Sequence, residues 1–456
     1  MVSIGSTLPT IETIDEMGEK LPLVPHNGKR AGISCFVAMV FVVGEMAGSG
    51  VLAMPYAISS TGYAGFVLMV IFGVIAGGTG VLLGKSWDIL QERYDEYNQH
   101  TRAPFASIGF RAYGKPGKMV VSITNDFTMF GAGVVFIILA SQLIQSLLSH
   151  LNVDFTVCLW MALVAAFLTP LTWLGTPKDM WPVAIIATLS TAIACVIITV
   201  NIILIEPKIP KEQKKPIEVL PFMMAFGTLA FTFAGTPAFP TIQHDMKEPK
   251  KFGRSLIAAF TVLLAIYSPV AYSAYFILGD RVKDNILIDL NEFYPGPMVY
   301  TVQILIVVHL IFAFVIVTNP LYQEIEDALG IPLRINWKRV ALRTAMVASI
   351  LFVAETIPRF GVVLSLLGGS AISVQIFVFP TLFYMKLCSQ TQGMITNTDR
   401  PWPVRSICQP LRVLLWSVLL VGILCGICAT YAAIDAIVAP NSFVLPCYVN
   451  SNITSI

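Results

Sequence analysis

Along residues 33–438, apolar stretches of membrane-crossing length alternate with short polar connections. A helical span needs roughly 20 predominantly apolar residues. On that rule the pattern predicts eleven spans, at 33–59, 63–85, 119–148, 155–175, 182–205, 219–241, 255–278, 298–319, 340–357, 360–387 and 410–438. Two of them are interrupted at their middles by glycine, proline and polar residues. The first interruption runs Gly44-Glu45-Met46-Ala47-Gly48-Ser49-Gly50-Val51-Leu52-Ala53-Met54-Pro55, and the second Phe233-Ala234-Gly235-Thr236-Pro237-Ala238-Phe239-Pro240. Breaking a helix at membrane depth is tolerable only where the freed N–H and C=O groups face protein, water or a ligand. Two such breaks, about half a chain apart, point to the substrate site of a transporter built from inverted repeats.

Composition and charge fit this reading. Of 456 residues 56% are hydrophobic and 12% charged, against about 25% charged in an average soluble domain. The net charge of +2 says little, but its distribution says more. With the N-terminus in the cytoplasm, 22 of the 29 Lys and Arg residues lie in the inner connections and seven in the outer ones. The positive-inside rule therefore favours that orientation, with the Lys208–Lys215 cluster as the one dissenting loop. An odd number of spans then places the C-terminus outside or in a lumen. The sequon Asn452-Ile453-Thr454 falls in that tail, making Asn452 a candidate glycosylation site. No residue chooses between the plasma membrane and an internal one.

Residues 1–32 are polar and lack the basic-then-apolar order of a signal peptide, so they read as a disordered cytoplasmic tail; residues 439–456 form the opposite tail. Most of the eight cysteines lie in or beside spans and do not form a disulfide framework. Cys425 and Cys428 read as small core residues rather than a redox or zinc pair. Cys447 could reach Cys158 near the outer end of span four, but such a bridge is the minor reading. The polar loops carry no metal-ligand cluster, phosphate-binding glycine loop or nucleophile elbow, which argues against an enzyme, and no ATP motif, which argues for secondary transport. Basic residues scattered beside spans suit the lipid bilayer rather than nucleic acid.

Four separated segments carry a resemblance. Gly48-Ser49-Gly50-Val51-Leu52-Ala53-Met54-Pro55-Tyr56-Ala57, Phe226-Gly227-Thr228-Leu229-Ala230-Phe231-Thr232-Phe233-Ala234-Gly235, Met246-Lys247-Glu248-Pro249-Lys250-Lys251-Phe252 and Phe379-Pro380-Thr381-Leu382-Phe383-Tyr384-Met385-Lys386-Leu387 are similar to motifs of the amino acid/auxin permease family. The resemblance runs from about residue 33 to 438. It implies an all-α fold of eleven transmembrane helices, in which spans one to five (33–205) and six to ten (219–387) form a 5+5 inverted repeat. Spans one and six are broken, and span eleven (410–438) is extra. It also implies transport of amino acids or related small solutes with protons or sodium as coupling ions and no cofactor.

The chemistry of the breaks can be argued without the family. A half-helix N-terminus offers free N–H donors and roughly half a positive charge. Gly48, Ser49 and Gly50 can bring such donors close to a carboxylate, since glycine puts no Cβ in the way. Carbonyls freed near Phe233, Ala234 and Gly235 suit an ammonium group. Together they would hold an amino-acid zwitterion, with side-chain selectivity coming from Thr236, Phe231 and spans three and eight. The bland alternative is that these residues mark only kinks and close helix packing.

Coupling needs a group that changes charge, and ionisable residues within spans are few. Glu45 abuts the first break, and we favour a proton-coupling role for it over a purely structural carboxyl. His309, well inside span eight, suits proton work, although a hydrogen-bonded helix contact describes it equally well. Asp126 lines the inner pathway or simply reaches cytoplasmic water. In sodium-coupled relatives of this fold, span-eight hydroxyls help hold the ion; from Leu305 to Val317 this chain has neither Ser nor Thr, which favours protons. The leading expectation is a proton-coupled amino-acid transporter. The alternatives are a vesicular proton/amino-acid exchanger, a sodium-coupled symporter and a non-transporting amino-acid sensor.

Overall fold

A computed structural model describes residues 32–173, 181–205, 216–390, 405–439 and 446–449, except the single positions 100, 102, 152, 154 and 333. Asn452 and Lys208–Lys215 lie outside the described residues. The described chain is helical, its one β-type contact being a bridge between Ile33 and Met246. The first span is α1 (Cys35–Met46) and α2 (Gly50–Thr61), bent by 65° at the break. Then come α3 (Tyr63–Arg93), α4 (Pro104–Leu148), α5 (Val157–Trp173) and α6 (Trp181–Ile205). The second broken span is α7 (Val219–Thr232) and α8 (Phe239–His244). It is followed by α9 (Phe252–Ser273), the short α10 (Ile286–Phe293), α11 (Pro297–Ala328) and α12 (Trp337–Thr356). The chain closes with α13 (Phe360–Leu367), α14 (Phe379–Ser389) and α15 (Gln409–Val438).

Among the described residues eight helical segments are long and apolar enough to cross a membrane, or nine with the bent α1–α2 pair. The expected eleven would require two more, α5 with 17 residues and α12 with 20. Helix α12 escapes a hydropathy test because its first two turns carry Lys338, Arg339 and Arg343. Arg343 falls inside the expected ninth span (340–357), where an unpaired charge would be costly. It is buried and ion-paired to the equally buried Glu326 of α11 at 2.5 Å, and it donates to the Thr172 carbonyl of α5 and, at 3.2 Å, to Asn319 of α11. A charge satisfied this way is compatible with the bundle interior.

Other differences arise where apolar residues sit inside polar connections. The predicted inner loop 85–118 is largely helical: α3 runs on to Arg93, and α4 starts at Pro104 and bends at Gly114, whose φ is +70°. Trp87, Phe105, Phe383 and Leu387 gather there in a second buried cluster. Arg111 stacks over Tyr94, 3.9 Å from the ring centre. The structure also joins Cys158 to Cys447 in the disulfide that was the minor reading of the sequence. Loop length hides such pairings, because 289 residues separate the two cysteines.

Spans six and ten of the second repeat approach each other backbone to backbone. A Cβ on Gly368, in the wide turn between α13 and α14, would stand 1.8 Å from the carbonyl oxygen of Gly227 in α7. The glycine of the Phe226-Gly227 motif therefore serves helix packing, as small residues do at membrane helix interfaces.

Candidate substrate and coupling site

The two breaks lie against each other. A Cβ on Gly50, the first residue of α2, would stand 2.7 Å from the Cα of Thr232, the last residue of α7. A Cβ on Gly235 would stand 2.7 Å from the Cγ of Met46, the last residue of α1. The start of α2 thus rests on the end of α7, and the end of α1 rests on the second break. This is where sequence reasoning put both interruptions.

At the first break, Ala47, Gly48 and Ser49 leave the helix. The next N–H groups are already used, Val51 donating to the Gly48 carbonyl at 3.3 Å and Leu52 to that of Ser49 at 3.2 Å. Among the described residues no turn or capping hydrogen bond is donated by the N–H of Gly48, Ser49 or Gly50. The free donors at the start of α2 are therefore those three. On the other side of the break, Tyr267 of α9 donates its hydroxyl to the Met46 carbonyl at 3.0 Å.

At the second break the backbone turns on itself: Ala234 donates to the Phe231 carbonyl at 3.0 Å and Ala238 to that of Gly235 at 3.1 Å. Among the described residues no such bond ends on the carbonyls of Phe233 or Ala234. The Phe233 side chain is buried between Phe260 and Tyr267, each with its ring centre 6.0 Å away. Phe233 can thus serve a ligand only through its carbonyl. Phe231 and Thr236 are buried and Ala234 is half-buried.

Of the titratable candidates, His309 is brought to the break and Asp126 is not. The buried His309 of α11 has its Nε2 3.2 Å from where a Cβ of Gly48 would stand. Its Nδ1 lies 3.4 Å from the Thr191 hydroxyl of α6. Three helices thus converge on one imidazole. Glu45 is in the last turn of α1, with an accessible side chain. Among the described residues nothing donates to its carboxylate. Asp126 of α4 instead lies near Glu324 of α11.

Sequence reasoning missed Thr191, Thr232, Tyr267 and Glu324. Glu324 could have been found as the acid beyond the apolar run of span eight. The other three carry no signal, because a Thr or Tyr inside an apolar span looks the same whether or not it meets a break. Among the described residues no group of three His, Cys, Asp or Glu side chains could hold a metal ion.

Residues 31–434 match the family described as transmembrane amino acid transporter protein. The chain belongs to that family. Its relatives include three amino acid transporters of Arabidopsis thaliana. AVT1D is 24% identical, over 86% of this chain and 68% of its own length. AVT1H is 27% identical over 77% and 81%, and AVT3B is 24% identical over 93% and 99%. Among solved structures, MhsT in complex with L-phenylalanine superposes with a TM-score of 0.54 at 14% identity, covering 89% of this chain and all of that one. Mhp1, a nucleobase-cation-symport-1 family transporter, gives 0.53 at 14% identity, over 90% and 93%. At these identities the likeness concerns the fold alone, an all-α transporter fold of inverted repeats. Within this family fold the two breaks are the unwound middles of spans one and six.

Proposed function

We propose that this family member moves amino acids across its membrane as a secondary active transporter, by alternating access and coupled to protons. The observation that carries the reading is the contact between the two breaks. On this reading the N–H groups of Gly48, Ser49 and Gly50 hold the carboxylate, and the carbonyls of Phe233 and Ala234 the ammonium, that all amino acids share. The L-phenylalanine complex of a protein of the same fold supports that choice of substrate class.

Proton coupling is supported by what stands at the first break. The hydroxyls that flank the apolar centre of α11 are turned into their own helix: Thr301 donates to the Pro297 carbonyl at 2.8 Å and Thr318 to that of Phe314 at 2.7 Å. Between them, His309 brings an imidazole where a hard cation would need oxygen ligands. An imidazole that gains and loses a proton beside Gly48, with Glu45 on the accessible side of the same break, changes the local charge as the cycle turns. The Cys158–Cys447 disulfide supports an extracellular or lumenal C-terminus and a cytoplasmic N-terminus, since thiols stay reduced in the cytosol.

Uptake of labelled amino acids into sodium-free proteoliposomes, with and without an inward proton gradient, tests the proposal. Accumulation driven by the gradient is expected. Accumulation that requires sodium would reject proton coupling, and no flux under any gradient would reject transport. His309→Gln and Glu45→Gln are expected to flatten the dependence of uptake on pH. An unchanged profile in both would remove the coupling site from the first break.

A further inference from the structure

A cavity of about 320 Å³ opens at the end of the bundle where α14 finishes and α15 begins, far along the chain from either break. Its walls include Ser389 at the end of α14, Arg405 and Ile407 in the segment entering α15, and Arg412 and Trp416 one turn apart on α15. Arg405 is half-buried and donates to Glu92 at the end of α3. Arg412 is exposed and, among the described residues, its guanidinium has no partner. Cys388 also lines the cavity, with Lys85 and Arg93 within electrostatic reach of it. Cations thus outnumber carboxylates at this mouth, where Glu92 and Asp88 both lie within reach of Arg405.

The cavity does not stop at the charges. It borders a face of α15 that no other described helix covers, where Val413, Trp416 and Leu420 are 63%, 56% and 59% exposed. In a membrane that face meets acyl chains, and an indole beside arginines at a span end is placed at headgroup depth. The volume fits a phosphate-bearing headgroup, while the tails would run down the uncovered face.

We infer that this cavity binds the headgroup of an anionic phospholipid in the leaflet lining the cytoplasm, with Arg412 and Arg405 on the phosphate. The choice of leaflet rests on the orientation proposed above. The lipid itself is argued from the cavity, so it stands apart from substrate and coupling. A bound headgroup would tie the start of span eleven to the ends of spans two and ten.

Native mass spectrometry of the purified full-length protein tests this, with dioleoyl phosphatidylserine, its phosphatidylcholine counterpart as neutral control, and soluble glycerophosphoserine. Phosphatidylserine should be retained in preference to phosphatidylcholine. Arg412→Gln should lower that retention by about fivefold and R405Q/R412Q by about 25-fold, the effect expected of basic residues at a membrane surface. Glu92→Gln should raise it, because Arg405 loses its competing carboxylate; a merely structural ion pair would predict a fall. Equal retention by the wild type and R405Q/R412Q would overturn the proposal. So would displacement by millimolar glycerophosphoserine, which would mark a site for a soluble anion.

Discussion

At the first break the Met46 carbonyl is held by a hydroxyl from another helix, the Tyr267 Oη of α9, and the free glycine edge of α2 lies on Thr232 of α7. At the second break the turn closes through its own backbone, Ala234 to Phe231 and Ala238 to Gly235. Both interruptions look alike in the sequence, as glycines and prolines within an apolar run. They are held by different means. Both carry local backbone bonds, but the first also takes a donor from α9 and rests on α7, with His309 of α11 close by. On the coupling proposed above, a proton moving on or off His309 would act at the first break, and the second would supply the steadier wall.

The sharpest way to break this contrast is Gly50→Ala. The added methyl would stand 2.7 Å from the Thr232 Cα, and backbone cannot step aside as a side chain can. Overpacking of this kind typically costs about 1–3 kcal/mol, and more where backbone must move. We expect a clear fall in the melting temperature of the detergent-solubilised protein and loss of uptake. Unaltered melting would show that α2 can slide along α7, so that the first break is not pinned by that contact.

Tyr267→Phe asks the same question through a hydrogen bond. The ring can keep its packing against Phe233 while the Met46 carbonyl loses its donor. A buried polar group left unpaired costs about 1–3 kcal/mol. A smaller drop in melting temperature than for Gly50→Ala is expected, with weaker uptake. If Tyr267→Phe melts like the wild type, the first break holds itself as the second does.

These contrasts also show what could be read from the chain. The breaks were legible because Gly48-Ser49-Gly50 and Gly235-Thr236-Pro237 are costly inside a span unless something faces them. The contact between them was not, since nothing in either segment specifies that Gly50 meets Thr232 rather than a ligand. His309 was visible as an ionisable group in an apolar helix, yet its place beside Gly48 depends on how α11 crosses α1. The same holds for Arg343, a charge inside span nine whose partner Glu326 lies 17 positions away on α11. Cys158 and Cys447 were visible as residues and ambiguous as a pair. Local chemistry identified candidates; only packing decided their partners.

The smallest effect is expected from Gly235→Ala, and it sharpens the comparison most. The methyl would meet Met46 at its Cγ, 2.7 Å away, but methionine is unbranched and has other rotamers to take. Melting should therefore shift by the equivalent of less than about 1 kcal/mol, below the overpacking range. Displacing Met46 moves a side chain at the meeting point of the two breaks, so apparent substrate affinity in proteoliposome uptake should weaken by a few-fold while the fold persists. A stability loss as large as that of Gly50→Ala would mean that both breaks are pinned by their neighbours, and the distinction between a governed break and a self-held one would go. Unchanged affinity together with unchanged melting would instead place Gly235 outside the substrate's reach, leaving the carbonyls of Phe233 and Ala234 to hold the ammonium.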